Sequence, residues 1–249
     1  MLLDGKVALV SGTGPNIGAE IARTLGANGA TVACVDLNEG YAQAAAISIN
    51  EAGGKAIGVA ADITQPDSVE KAVQEVIAAF GGIQLLVNNA AISDRKPFLE
   101  AELSDWRNVL DVILTGTFIV SQQVARQMVA QGGGGSIVNI VSTSGHRGEM
   151  ARIAYGTAKS GLLNFTRSIA MQLAPHGIRV NSVTPTTTGT PVGRPDAPRD
   201  ENNPPKDLPL SRWGRPNDQA QATLFLLSPN ADFITGIDIP CDGGRLAKF

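Results

Sequence analysis

The stretch "VALVSGTGPNIGAE", residues 7–20, decides how the rest of the chain is read. It opens as an apolar strand and closes as a helix, with a glycine-rich turn between them. Gly12, Gly14 and Gly18 are spaced G-x-G-x-x-x-G, one residue longer at the end than G-x-G-x-x-G. The spacing T-G-x-x-x-G-x-G is met at Gly12, Ile17 and Gly18, with Ser11 in place of Thr and Asn16 in place of the middle Gly. A strand that turns sharply into a helix aims the helix N-terminus at a phosphate, and Gly12 and Gly18 let backbone approach backbone. Asn16 is compatible with such a cradle on two grounds. It is among the residues least penalised at positive φ, and its side chain can cap a helix. By itself the turn is weak evidence, because structural turns also hold three glycines.

The chain has 249 residues, 43% hydrophobic and 17% charged, enough for a full core and typical of a folded protein. A net charge of −3 with no Lys/Arg run argues against a nucleic-acid partner, and 4% aromatics leave no base-stacking platform. "MLLDGKVALV" lacks a cationic region before its short apolar run, so neither a signal peptide nor a membrane span is expected. Cys34 and Cys241 form no disulfide framework and no metal spacing, and read as two buried thiols of a cytoplasmic protein.

Strands are predicted at 6–10, 31–36, 55–60, 84–88, 136–141, 178–184 and 236–240. Helices are predicted at about 17–28, 39–52, 66–80, 103–131, 155–174 and 216–228. The strands are continuously apolar, as expected when both faces are covered. This alternation predicts a single α/β domain over 1–249, a doubly wound parallel sheet with ligands at the strands' C-terminal ends. "QGGGGS" at 131–136 is a turn, not a boundary. The irregular segment 185–215, rich in Pro, Gly and charge, follows a strand end. It is either a lid over the substrate, covering about 186–213, or a mobile surface loop.

Asp36 ends the second strand, 24 residues after Gly12 and 18 after Gly18. A carboxylate there can accept bonds from adenosine ribose hydroxyls and would repel a 2′-phosphate. Neither the turn nor Leu37 and Asn38 supply a compensating cation, so NAD is favoured over NADP; alone, Asp36 is equally a solvated strand-end carboxylate. "YGTAK", 155–159, places Tyr155 and Lys159 on one face at the start of a helix. Ser142 lies thirteen residues earlier, at the end of a strand. A nearby ammonium lowers a phenol's pKa, so Tyr155 can exchange a proton with a substrate hydroxyl whose oxygen Ser142 holds. Hydride then moves between the substrate carbon and nicotinamide.

Over essentially its whole length the chain resembles the short-chain dehydrogenase/reductase family. The resemblance rests on an ordered series: the turn at 11–18, Asp36, "AADI" at 60–63, "NNAA" at 88–91, Ser142 with "YGTAK", "RVNSVTP" at 179–185 and "TGIDIPCDGG" at 235–244. It implies a Rossmann-type fold with seven parallel strands and helices on both faces, assembled as a homotetramer or dimer through helices. It implies that Asp62 and Ile63 border the adenine, and that Asn89, Ala90 and Ala91 border the adenosine ribose and central cofactor. Lys159 is implied to bond the nicotinamide ribose, and Pro185, Thr188 and Thr190 to lie beside the nicotinamide. Four positions depart from the family pattern: Asn16, Ala91 for the usual Gly of "NNAG", Thr186 for the usual Gly after Pro185, and Ile113. Ile113, in "LDVILTGTF", stands where the family has a fourth catalytic residue, an Asn holding a water that links the active-site Lys to solvent. Ile neither donates nor accepts a hydrogen bond, which puts that proton relay in question but not the Ser–Tyr–Lys chemistry.

Between Ser142 and Tyr155, Arg152 could aim a guanidinium at an oxyanion and His146 could add a polar contact. Both are equally surface groups, with Glu149 available to pair with one of them. His176, beside Gly177, reads as a neighbour of a helix cap. The expectation is an NAD(H)-dependent oxidoreductase interconverting a secondary alcohol and a ketone. The substrate is either polar or anionic, or a cyclic alcohol or diol. The alternatives are an imine or enone reductase, and a dinucleotide-binding sensor or partner subunit with weakened catalysis.

Overall fold

The computed structural model describes residues 1–190, 200 and 202–248. The predicted lid, 186–213, therefore lies partly outside the described residues, and Arg194, Asp196, Arg199 and Glu201 fall in that outside part.

Seven strands are present: β1 Val7–Ser11, β2 Thr31–Asp36, β3 Lys55–Ala60, β4 Leu85–Asn88, β5 Gly135–Ile140, β6 Ile178–Pro185 and β7 Asp238–Cys241. They pair in parallel in the order β3-β2-β1-β4-β5-β6-β7. The chain reverses direction across the sheet between β1 and β4, so the ends of those strands open the crevice where ligands of such sheets bind.

The helices are α1 Ile17–Ala27, α2 Glu39–Glu51, α3 Pro66–Phe80, α4 Leu103–Leu110, α5 Gly116–Gln131, α6 Ile153–Leu173 and α7 Pro216–Leu227. They cover both faces. Ile21 and Leu25 of α1, Ile49 of α2 and Leu224 of α7 pack on one side against Val10, Val32 and Val138. Val73 of α3, Val124 and Met128 of α5 and Ala170 of α6 pack on the other against Leu9, Leu86 and Ile137. This is why the strands read as unbroken apolar runs instead of alternating ones: neither face meets water.

Three expectations change in detail. The helix predicted over 103–131 is interrupted by a π-helical turn, Asp111–Thr115, between α4 and α5. Apolar periodicity does not register one extra residue in a turn. The last strand is displaced by about two residues. Segment 185–215 is not wholly structureless where it is described: Thr188 bridges Gly214, Leu210 N–H donates to Gly243 O at 3.1 Å, and Leu208 is buried. Cys34 is buried while Cys241 is only half-buried, and burial raises both thiol pKa values, Cys34 to about 12. No helix among the described residues is long and apolar enough to cross a membrane.

Candidate active site

The turn after β1 is drawn tight by the end of β4. Gly12 has φ +73°, and a Cβ there would lie 2.5 Å from the Ala90 Cα. Asn89 Nδ2 donates to Gly12 O at 2.6 Å, and Asn89 N–H donates to Ser11 Oγ at 3.3 Å. A Cβ on Gly18 would collide with the Gly12 carbonyl, so α1 starts hard against the turn. Asp36 receives two backbone amides, from Gly14 at 3.0 Å and Asn38 at 2.9 Å. No ion pair among the described residues involves it. Leu37 beside it is exposed.

Asn16 fits, but for neither expected reason. Its φ of 168° is extended backbone, and its side chain makes no capping bond to α1. Instead Nδ2 donates to Thr190 O at 2.8 Å and to Thr190 Oγ1 at 3.2 Å, tying the turn to the segment after β6. A glycine could not span that gap. The other end of the amide, Oδ1, is buried without a partner.

The second half of the site is built on the start of α6. Arg152 occupies the N-cap but makes no capping bond. Asp94, in the segment after β4, does that work from outside: Oδ2 accepts the Ala154 amide and Oδ1 the Tyr155 amide, each at 3.0 Å. A carboxylate also suits the positive end of the helix dipole. Tyr155 and Lys159, one turn apart, are both buried. Ser142 follows β5 and accepts the Ser144 amide at 3.2 Å. Lys159 Nζ donates to Ile140 O at 2.6 Å and stands 5.8 Å from the Tyr155 ring centre.

Here the electrostatics differ from expectation. Burial raises the Tyr155 pKa, and the opposing influences are the Ser142 side chain and the Arg152 charge, not Lys159. Burial brings Lys159 down to about 7. Desolvation thus pushes both groups toward their neutral forms, and leaves Lys159 near half-protonated at neutral pH. The guanidinium carbon of Arg152 sits 5.2 Å from the Tyr155 ring centre.

One cavity of about 490 Å³ joins these parts. It is lined by Asn16, Ile17, Asn89, Ala91, Ser142, Arg152, Tyr155, Lys159, Pro185, Thr188 and Thr190 among the expected residues. Gly12, Gly18, Asp36, Leu37, Asp62, Ile63 and Ala90 are not in its wall. Asp62 gives its carboxylate to the amide and hydroxyl of Thr64, at 2.9 and 2.7 Å. Ile63 is a core residue whose side chain fills the space beside Gly116. His146 is also absent from the wall. Its Nε2 turns to Thr184 Oγ1 at 3.1 Å and Asp238 at 3.2 Å, so the ring braces β6 against β7. Arg152 reaches the cavity while pairing with Glu149 at 3.0 Å and donating to Ser144 Oγ at 3.0 Å.

Ile113 sits inside the π turn, fully buried with Val109, Val141, Tyr155, Ala158 and Leu162. At this position the chain packs oil against the helix bearing Tyr155. Beneath the site runs a buried polar chain: Asn88 Nδ2 donates to Ser121 Oγ at 2.9 Å and to Asn139 Oδ1 at 2.8 Å. Asn139 Nδ2 in turn donates to Thr166 Oγ1 at 2.9 Å, linking β4, β5, α5 and α6. Asp94, Arg95 and Arg245 belong to no motif of the sequence that marks them as site residues, although Arg95 and Arg245 line the cavity. Only the identity of Asp94, just beyond "NNAA", hinted at a cap.

The comparisons agree with this geometry. The family model described as "Enoyl-(Acyl carrier protein) reductase" matches residues 12–245. The "3-oxoacyl-[acyl-carrier-protein] reductase FabG" of Aquifex aeolicus (strain VF5) is 40% identical over 243 residues, covering 97% of this chain and 98% of that protein. The "D-threitol dehydrogenase" of Mycolicibacterium smegmatis is 38% identical over 248 residues, covering 99% and 95%. A crystal structure of a short-chain type dehydrogenase/reductase from Mycobacterium marinum superposes with a TM-score of 0.92 at 35% identity, covering 99% of this chain and 97% of that one.

Proposed function

The chain belongs to the short-chain dehydrogenase/reductase family of nicotinamide-dependent oxidoreductases, and from that membership we propose that it interconverts a secondary alcohol and a ketone with NAD(H). The observation that carries this reading is the meeting of Ser142, Tyr155 and Lys159 in the wall of one cavity.

The residues fit a dinucleotide. The Gly12–Gly18 contact excludes any Cβ, which leaves backbone facing the phosphates, and the cavity runs from Asn16 and Ile17 to Tyr155. Asp36, with no cation paired to it among the described residues, favours a ribose with free hydroxyls over a 2′-phosphate, hence NAD over NADP. The dinucleotide supplies the hydride acceptor or donor. Ser142 holds the substrate oxygen; the Tyr155 hydroxyl gives the proton to that oxygen in reduction, and its phenolate takes the proton from it in oxidation. Lys159, near its titration midpoint at neutral pH, can take up that proton or hold the nicotinamide ribose. Arg152 over the Tyr155 ring stabilises phenolate when it forms. The described end of segment 186–213, stitched back through Thr188 and Gly214, supports its reading as a substrate cover.

A second reading follows from the family model's own description, which names an enoyl reductase: the double bond reduced is C=C or C=N. We also read the chain as a homo-oligomer, because α5 and α6 leave an apolar groove flanked by Phe118, Val129, Phe165 and Leu173.

Nicotinamide absorbance, followed on a panel of secondary alcohols, ketones, imines and enones with each dinucleotide, tests the proposal. Alcohol oxidation faster with NAD than with NADP, and abolished in Tyr155→Phe, is the expected result. Turnover of enones or imines alone selects the second reading. Dinucleotide binding with no turnover at all selects a sensor.

A further inference from the structure

Resting on that reading of the site, we propose that the substrate carries a carboxylate, received by the guanidinium of Arg245. Three guanidiniums, those of Arg95, Arg152 and Arg245, line the cavity that holds Tyr155. Among the described residues no Asp or Glu lines it. A wall with several arginines and no carboxylate among the described residues offers an anionic group charge-assisted donors that a neutral polyol does not use.

Arg245 is the best placed of the three. It stands on a short turn after β7 that Asp242 fixes, with Oδ1 accepting the Gly244 amide at 2.9 Å and Oδ2 the Leu246 amide at 2.7 Å. Its Nη1 donates to Thr186 Oγ1 at 3.0 Å and to Thr187 Oγ1 at 2.9 Å. Its Nη2 pairs with Asp207 at 2.5 Å. These contacts clamp the plane of the group, yet Nε is buried and has no hydrogen-bond partner among the described residues. A guanidinium has five N–H donors in a fixed fork, and a carboxylate matches that fork. The two threonines belong to the segment where the family usually has Gly after Pro185, so the departure at Thr186 acquires a purpose: it positions Arg245. Glu149 and Asp207 neutralise Arg152 and Arg245 from outside the cavity wall. A cavity of about 490 Å³ suits a small hydroxy or oxo acid beside the cofactor.

The test is calorimetric binding of cyclohexanecarboxylate and of cyclohexanecarboxamide to the protein saturated with its preferred reduced dinucleotide. The acid should bind at least tenfold more tightly than the amide, the size expected of a charge-assisted pair. Arg245→Met should collapse that ratio below threefold, and Arg245→Lys should recover part of it. Equal affinities, no measurable binding of the acid, or a ratio unchanged in folded Arg245→Met would overturn the proposal. Turnover is scored separately, on 4-hydroxycyclohexanecarboxylate and cyclohexanol. An acid that binds preferentially without either alcohol being oxidised refutes the alcohol/ketone reading and leaves the anion site standing.

Discussion

Asp94 grips Tyr155 by its backbone: one carboxylate oxygen accepts the Tyr155 amide and the other that of Ala154, both at 3.0 Å. The helix carrying the phenol is thus started by a residue 61 positions earlier in the chain. Asp94→Asn leaves one acceptor and turns an NH₂ toward the second amide. It should lower stability by about 1–2 kcal/mol, and the melting point by about 2–8 °C. Because the phenol moves with its helix, kcat should fall more than KM rises. A change confined to KM would show that Asp94 does not position Tyr155.

Lys159 makes stability depend on pH in a direction unusual for a lysine. Its folded pKa is about 7, against about 10.4 in an unfolded chain. Between those values the unfolded state binds more protons, so stability rises with pH across that window. Below pH 7 Lys159 is charged in both states, and the full cost of burying its charge is present. Lys159→Met should therefore stabilise the protein against urea by a few kcal/mol at pH 6.5, with the gain shrinking toward zero near pH 10. A gain that grows with pH would contradict the buried, neutral-leaning ammonium.

Asn16→Gly removes the bridge to Thr190 and adds backbone freedom to the turn. Hydrogen exchange at residues 186–190 should accelerate, with a stability loss of about 1 kcal/mol. Asn16→Ala should accelerate the same amides. Unchanged protection in both variants would mean the amide bridge holds nothing.

Ile113→Asn places an amide among Val109, Val141, Ala158 and Leu162. The loss of apolar packing and the buried polar group together should cost about 2–4 kcal/mol. Where folding survives, the pH profile of kcat should shift, because the new side chain offers a hydrogen-bonding path behind α6. An unchanged profile would show that proton exchange in this protein does not run through that position.

The parallel sheet, both helical layers and the placing of Tyr155 and Lys159 one turn apart on a helix were legible in the sequence. Each rests on a local pattern: apolar runs bounded by glycine, or residues one helical turn apart. What stayed illegible is carried by distance or by dihedral angle. The extended backbone of Asn16 leaves no trace in residue identity, so a turn-type argument pointed the wrong way. Arg245 meets Thr186 across 59 positions, and no periodicity reports such a contact. His146 lies in the expected segment, but the short turn Thr143–Gly145 points its ring at Asp238 instead of the cavity. The pKa of Tyr155 depended on how deep α6 lies, which spacing alone does not show.

The chain of amides and hydroxyls from Ser121 through Asn88 and Asn139 to Thr166 has a consequence for how this protein changes over generations. Sliding either strand by a single rung would strand these groups in oil, so the alignment of the strand tips tolerates almost no drift. Reproducibility of the reacting centre is thereby vested in the slab beneath it. The segments draped above are released to vary in length and charge, and a new substrate can be accommodated there without disturbing the machinery underneath.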